Sequence, residues 1–519
     1  MTGRILIAFL FLLGCLRAAD RPDLLRLTDG DQLHGAFRGI SAGPTAVWQR
    51  EDLAQPVEFK TAKIRNIVFR GGQPAKALTS LSYVGLVNGD KVPGTITGID
   101  SGHVTMETPY AGVLRIPRGK VALVAPNPLG GRVYYHGPFS EDDWKMINSR
   151  YPDGLPEPAA KDDSKDAPNP AVKDAADDDD PDPDGQPPAR WVFSGSAWYW
   201  QNDNSGTALV HEAGMPDRAV LSFHLAWKNR LSFAVAFHAD FARPKPPEED
   251  DGKAGRIHGF VPGDSSDLPR LFGNSYVIQM YSNYLMLYRA SVGKDGKCSL
   301  DRVQLNNNSM RLGDTGSAKV EIRANRLTGE ISLFVNDEFA AQWSETDPVS
   351  HEGVNYAGKG AGFGFVVQGK GSPVRISDIV VSEWNGMPDS ARSLQVDNQD
   401  VVLMANGLDR FSGEVGGLDP GGKVRFKARH GSFEFPLDEV AEIRFARDRQ
   451  EPAPETTDDN VIVRLHPLGA ISGKPVSGTA NSLDLLSPIL GELKLSLDSA
   501  VMIDFNSTNQ TFDDWDANF

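Results

Sequence analysis

Cysteine is almost missing from this chain of 519 residues: only Cys15 and Cys298 occur. If the N-terminal segment is removed, as read below, one thiol remains, so no intramolecular disulfide can form and the disulfide-stapled small folds are excluded. Long apolar runs are missing as well. The run at residues 5–13 is much too short to span a bilayer, and the polytopic membrane class falls away. Helical periodicity is scarce, and no basic patch with interleaved aromatics occurs, so nucleic acid is not an expected partner. The signatures HExxH, GxSxG, Walker A and a helix-opening GxGxxG are all absent. Cys298, in Lys297-Cys298-Ser299-Leu300, has one basic neighbour and no catalytic context, and reads as a plain strand or loop thiol. What is present is an ordinary 40% of hydrophobic residues with 52 Gly and 35 Pro, enough for three or four globular domains rich in turns.

Arg4 precedes the apolar run, and small residues follow it, which is the pattern of an export signal over residues 1–19 with a cut after Ala18 or Ala19. Leu12-Leu13-Gly14-Cys15 also resembles a bacterial lipobox, in which Cys15 would be lipidated and become the N-terminus. Both alternatives put the protein outside the cytoplasm, as a periplasmic, envelope-associated or secreted chain. Membrane contact is expected only through that lipid. The formal charge is -16, with 69 acidic against 53 basic residues, and half of the excess sits in one place. Residues 156–189 hold eleven acids and three lysines among prolines and alanines, too polar to bury and too self-repelling to collapse, so residues 156–190 read as an extended linker. Within it Asp180, Asp182 and Asp184, followed by Gly185, match the opening of a calcium loop, although position 12 is Trp191 instead of Glu. Calcium is the one cofactor this suggests, and a solvated linker is the simpler account.

Internal repetition organises the rest. Leu27-Thr28-Asp29-Gly30-Asp31 followed by Gly35 returns 59 residues later as Leu86-Val87-Asn88-Gly89-Asp90 followed by Gly94. A third copy has Asn406-Gly407 and Gly413, and a degenerate fourth covers residues 461–505. The second halves repeat too: Ile64, Ile67 and Phe69 correspond to Val440, Ile443 and Phe445, and then to Ala500, Ile503 and Phe505. Each unit is a series of short alternating strands with a positive-φ turn marked by Asn-Gly or Asp-Gly, the pattern of a small β-barrel. The units lie at residues 22–75, 80–126, 396–448 and 458–507. The order of turns, with a glycine inside the second strand, resembles Sm-like and SH3-like barrels, where that glycine lets a bent strand turn the barrel corner. Between the second and third units, Ser140-Glu141-Asp142-Asp143-Trp144 reads as a capped helix start, so residues 127–155 are expected to be a short helical segment packing Trp144 on the preceding barrel. Phe512-Asp513-Asp514-Trp515 echoes it in the tail at residues 508–519.

Residues 191–386 show long alternating strands punctuated by Gly and Asn, which implies an antiparallel two-sheet sandwich. The expected fold class is therefore mainly β, a central sandwich with two small β-barrel repeats on each side. Asn325-Arg326-Leu327-Thr328-Gly329-Glu330 leading into Ile331-Ser332-Leu333-Phe334-Val335-Asn336-Asp337, then Gly362-Phe363-Gly364-Phe365, resembles the late strands of concanavalin A-like (laminin G-like) jelly rolls. Trp198-Tyr199-Trp200 is similar to the start of the bacterial 3-keto-disaccharide hydrolase domain. That resemblance implies a lectin-like sandwich, with glycan or another cell-surface ligand as partner, or else a glycoside hydrolase.

No catalytic residue can be named. Hydrolases of the wider group that cleave β-glucans carry a Glu-x-Asp-x-(x)-Glu run whose carboxylates stand about 5 Å apart. The nearest approach here is Glu345-Thr346-Asp347, which runs into Pro348, while Glu248-Glu249-Asp250-Asp251 lies in a Pro-rich loop. Trp198 and Trp200 share a strand face, as do Tyr284 and Met286, so Trp200, Tyr284 and Trp198 are the candidate ligand-binding residues by aromatic stacking, with a core role as the alternative. His224 and His238, on strands without a partner pattern, read as half-buried structural histidines. Three functions remain in view: a non-catalytic exported binding protein, a hydrolase, and an envelope assembly protein built from repeated barrels.

Overall fold

The computed structural model describes residues 21–41, 44–148, 154–155, 189–201, 206–243, 267–294, 296–303, 311–345, 356–369, 372–386, 397–455, 457 and 459–505. Cys15, the aspartates at 180, 182 and 184, Glu248 to Asp251 and the 512–515 echo lie outside them.

Each repeat is a small β-barrel of five strands, except that in the second Gly94 divides the second strand into Lys91–Pro93 and Thr95–Ile99. In the first, strands Asp23–Leu27, Gln32–Ser41, Thr45–Gln49 and Val57–Lys60 pair in sequence, one turn of 3-10 helix at Thr61–Lys63 follows, and Ile64–Val68 closes back on the first strand. The third barrel repeats this with Asp400–Met404, Arg410–Leu418, Lys423–Ala428, Gly431–Pro436 and the closing strand Val440–Arg444. The bend in the second strand needs its glycine: a Cβ on Gly35, Gly94, Gly413 or Gly473 would come within 3 Å of the neighbouring strand. Each second strand also carries a β-bulge, at Phe37/Gly39, Ile96/Gly98, Val415/Gly417 and Pro475/Ser477, which sharpens the twist that folds the sheet over its own core.

The four barrels form one body by pairing their closing strands crosswise. Ile64–Val68 of the first barrel runs antiparallel to Ala500–Asp504 of the fourth, with Ile67 opposite Ile503. Val121–Ala125 of the second runs antiparallel to Val440–Arg444 of the third, with Val124 opposite Ile443. In both pairs the residues that meet occupy equivalent positions in the repeat, so each junction is a local two-fold, the geometry of an isologous dimer within a single chain. The bulge glycines meet across the same junctions: Gly39 (φ 137°) abuts the Gly478 carbonyl, and Gly417 (φ 123°) abuts that of Ile99. Leu25, Val84, Val402 and Val463 accordingly belong to one apolar cluster that runs through all four barrels.

The remaining strands make an antiparallel sandwich. One sheet has the strand order Val192–Phe193, Ala197–Trp200, Val374–Glu383, Arg218–Trp227, Gly316–Asn325, Glu330–Val335, Glu338–Ser344. The other runs Lys145–Ile147, Ala208–His211, Gly362–Val367, Ser232–Ala239, Ser275–Tyr281, Leu285–Val292, Cys298–Val303. Alternation puts Leu221, Phe223 and Leu225 of one sheet against Phe233, Val235 and Phe237 of the other in a dry core.

Residues 127–155 depart from the expected helix. They supply Val133–Gly137, which pairs with Val374–Glu383 in the first sheet, and Lys145–Ile147, which pairs with Ala208–His211 in the second. Ser140 does cap a turn, accepting the Asp142 N–H at 3.2 Å, but the strand at Lys145 begins too soon for a helix to propagate. Trp144 packs in the sandwich core, not on a barrel: its ring lies on Phe365, and its Nε1–H donates to Tyr135 Oη at 2.9 Å. Residues 133–147 thus belong to the sandwich, and the acidic stretch interrupts that sandwich instead of joining it to its neighbour.

Candidate functional site

The outward face of the seven-stranded sheet has two halves. At one end the short helix Leu268–Phe272 covers Ala234, Ala236, Val277 and Val366. Phe272 can settle there because Gly364 beneath it lacks a Cβ, which would stand 2.9 Å from its ring. At the other end the same strands present tyrosines. The register places Tyr288 opposite Val277 and Met286 opposite Gln279, all on this face, with Tyr281 two residues beyond Gln279. Tyr281 and Tyr284 stack with ring centroids 4.5 Å apart and an interplanar angle of 22°. Tyr284 is 44% exposed. The Tyr288 hydroxyl donates to Met286 Sδ at 3.2 Å. Burial, with the neighbouring Tyr284 and Tyr288, pushes the Tyr281 phenol up to about 12, so it stays a neutral hydrogen-bonding group. Next to these rings Gln279 Nε2–H donates to Gln368 Oε1 at 2.6 Å. Among the described residues, the strand positions of this face carry no carboxylate.

Of the three aromatic candidates, only Tyr284 is placed to meet a ligand. Trp198 and Trp200 do share a face, but it points inward: they are 2% and 0% exposed, and Trp200 packs on Trp191 at 5.3 Å. Both are core residues, because their strand lies inside the sandwich edge where residues 133–147 and Trp191 cover it. Glu345 is held by Arg289, with Nη2 at 2.8 Å from Oε2, and its carboxylate also meets the Tyr276 phenol. Cys298 is half-buried and unpaired with another cysteine, and burial raises its thiol pKa.

The two histidines separate. His238 is fully buried, not half-buried: Tyr356 Oη lies 2.8 Å from Nδ1 and the Pro216 carbonyl 2.9 Å from Nε2. His224 instead faces a cleft of about 560 Å³ between the eight-stranded sheet and the first, second and fourth barrels. There His224 Nδ1 lies 3.2 Å from Asp378 Oδ2, and Arg26 of the first barrel approaches the same carboxylate at 4.0 Å. Burial would raise the Asp378 pKa, but the His224 hydrogen bond and the charges of Arg26 and Arg65 outweigh it and hold the carboxyl well below the usual range. His136 lines the same cleft, and burial followed by the charge of Arg464 pushes it down to about 4. Sequence spacing gave no sign of this cluster, whose members come from strands far apart in the chain. Among the described residues no three His, Cys, Asp or Glu side chains converge for a metal ion, and no helix is long and apolar enough to cross a membrane.

No protein-family model and no curated protein matches the chain in sequence. Solved structures similar to part of it include a carbohydrate-binding module of Bacillus subtilis, 8% identical, over 38% of this chain and 92% of that one with a TM-score of 0.22. The galectin LEC-6 of Caenorhabditis elegans is 13% identical over 36% of this chain and 98% of its own, with a TM-score of 0.20. A Bacillus subtilis protein with a galectin-like fold is 12% identical, covering 49% of this chain and 97% of its own, with a TM-score of 0.24. At such identities no residue's role passes from those proteins to this one.

Proposed function

We propose that this is an exported, non-catalytic glycan-binding protein whose sandwich, of concanavalin A-like type, holds sugar rings on the tyrosine end of its seven-stranded sheet. The observation that carries the reading is the exposed Tyr284 stacked on the part-buried Tyr281, beside Tyr288 and Met286. A pyranose offers a flat patch of C–H groups that packs on an aromatic face, while its hydroxyls need amide and phenol partners at the rim. Tyr288 and Gln368, the latter positioned by the amide of the buried Gln279, supply that chemistry within the same surface. The four barrels are Sm-like or SH3-like modules in this reading, and their crosswise pairing makes them a rigid base for the sandwich.

A glycan array on the full-length protein, with and without calcium, tests the proposal, followed by titration of the best ligand into Tyr284→Ala. Binding that falls by about 1 to 3 kcal/mol with an unchanged melting temperature supports it. Binding indifferent to that substitution removes it, and release of reducing sugar by the wild-type protein would favour a hydrolase of the 3-keto-disaccharide type.

A further inference from the structure

We propose, on the basis of the glycan-binding reading above, that the tyrosine surface selects acidic glycans, with Arg302 as the residue that holds their carboxylate or sulfate. Stacking on a phenol ring chooses a flat sugar face and is indifferent to its charge, so the charge of the ligand is chosen by what stands beside the stack.

Arg302 lies on Cys298–Val303, the last strand of its sheet, directly opposite Tyr288. Alternation fixes its side. Leu300, two residues earlier, packs against the cluster under the helix Leu268–Phe272 on the outward face, so Arg302 projects from that same face at its tyrosine end. The guanidinium is close enough to the Tyr288 phenol to oppose the rise in pKa that burial gives it. Asp301 falls on the other side of the strand, opposite Arg289. Two loop arginines stand at the same end of the sheet. Arg230 precedes Leu231, whose N–H donates to Ser282 Oγ at 3.2 Å, and Arg311 precedes Leu312, whose N–H donates to the Ser282 carbonyl at 2.8 Å; Ser282 itself sits in the turn between the stacked Tyr281 and Tyr284. All three arginines are exposed, and among the described residues none forms an ion pair, either with Asp301 or with Asp314. In a chain with 69 acidic residues against 53 basic ones, three unpaired arginines around a face whose strands carry no carboxylate are a local excess of positive charge that the fold does not consume. A guanidinium presents a planar fork of N–H donors that matches the oxygens of a carboxylate or sulfate, and beside a tyrosine stack it meets that group at the edge of the sugar ring.

Calorimetric titration of the full-length protein with tetragalacturonate and with a sulfated galactotetraose tests this, each beside its own uncharged form, the methyl ester and the desulfated sugar. At least one acid should bind roughly tenfold or more tightly than its uncharged form, and which one does so tells carboxylate from sulfate. Arg302→Gln should remove most of that advantage at an unchanged melting temperature, and Arg302→Lys, which keeps the charge but loses the planar fork, should restore part of it. Raising the salt from about 0.05 to about 0.5 M should narrow the gap between charged and uncharged forms, because the contact is exposed to solvent. Tyr284→Ala should weaken the acid as well, since the same ligand stacks there. Equal affinity for charged and uncharged forms, no binding of either acid, an acid preference that Arg302→Gln leaves whole, or full acid affinity in Tyr284→Ala would each overturn the proposal. Tyr284-dependent binding of a neutral oligosaccharide would survive the first three of those results, so the glycan-binding surface and its choice of charge fail separately.

Discussion

The four barrels and the sandwich solve the same problem, burying one face of many short strands, with different materials. The barrels use mainly aliphatic side chains, with a minority of rings such as Trp48 and Phe426, and mostly local pairing: the first four strands pair in sequence, the last closes on the first, and a glycine bends the second strand at the same place every time. The sandwich uses rings. Trp144, Trp191, Trp198, Trp200, Trp227 and Trp343 all enter its core, and strands adjacent in space are often distant in the chain. A barrel can therefore be read from turn chemistry, whereas the sandwich depends on contacts that no local pattern announces.

The largest expected effect tests the ring-built core. Trp200→Ala should cost about 3 to 5 kcal/mol, because a fully buried indole tilted against Trp191 leaves a cavity that strands on both sides cannot close. Chemical denaturation checks this, and a cost under about 1 kcal/mol would mean the indole is not core.

Acid should destabilise the sandwich next. The His238 ring is enclosed, with its two nitrogens satisfied by Tyr356 and Pro216, and burial depresses its pKa to about 4. The unfolded chain takes up the proton first, near 6.5, so this stabilisation is whole above that pH. It is lost as the pH falls from about 6.5 to about 4, by up to about 3 kcal/mol. His238→Gln should flatten the stability profile in that window; an unaltered slope would assign it to other groups.

A smaller effect sharpens the equivalence of the barrels. Asp23 accepts the N–H groups of Phe37 and Arg70 at 3.0 and 2.9 Å, and Asp400, at the matching position, accepts those of Val415 and Ala446 at 2.9 and 3.0 Å. Each aspartate ties the bulged second strand to the chain just after the closing strand. Alanine at either position should cost about 2 kcal/mol, and more at Asp400, which also meets Arg118 and Arg449. Equal losses would show those arginines to be bystanders.

What the sequence revealed follows from this division. The Asp-Gly and Asn-Gly turns, the bend glycines and the repeat offsets are local, and each lies where the barrels need it. The crosswise pairing was hidden because Ile67 and Ile503 look like any closing-strand residues until they are set opposite one another. Trp198 and Trp200 were legible as one face, but nothing local says whether a face looks inward. His224 and Asp378 lie on strands that are adjacent in the sheet but far apart in the chain, which leaves no spacing to read. Ser140 gave a true capping signal for a turn that a strand soon ends.

The smallest expected effect concerns the acidic stretch. A linker between two domains would, once cut, release two independent pieces. Here the strands on its two sides, Lys145–Ile147 and Val192–Phe193, belong to opposite sheets of one sandwich, and residues 133–147 are held by Val374–Glu383, Ala208–His211 and the burial of Trp144. The first two barrels are fastened as well, through closing strands paired with the fourth and third. Limited proteolysis within residues 156–188 should therefore give two bands on a denaturing gel but a single species by size exclusion. Separation of the fragments under native conditions would show that the crosswise pairing and the shared sandwich contribute less than covalent continuity.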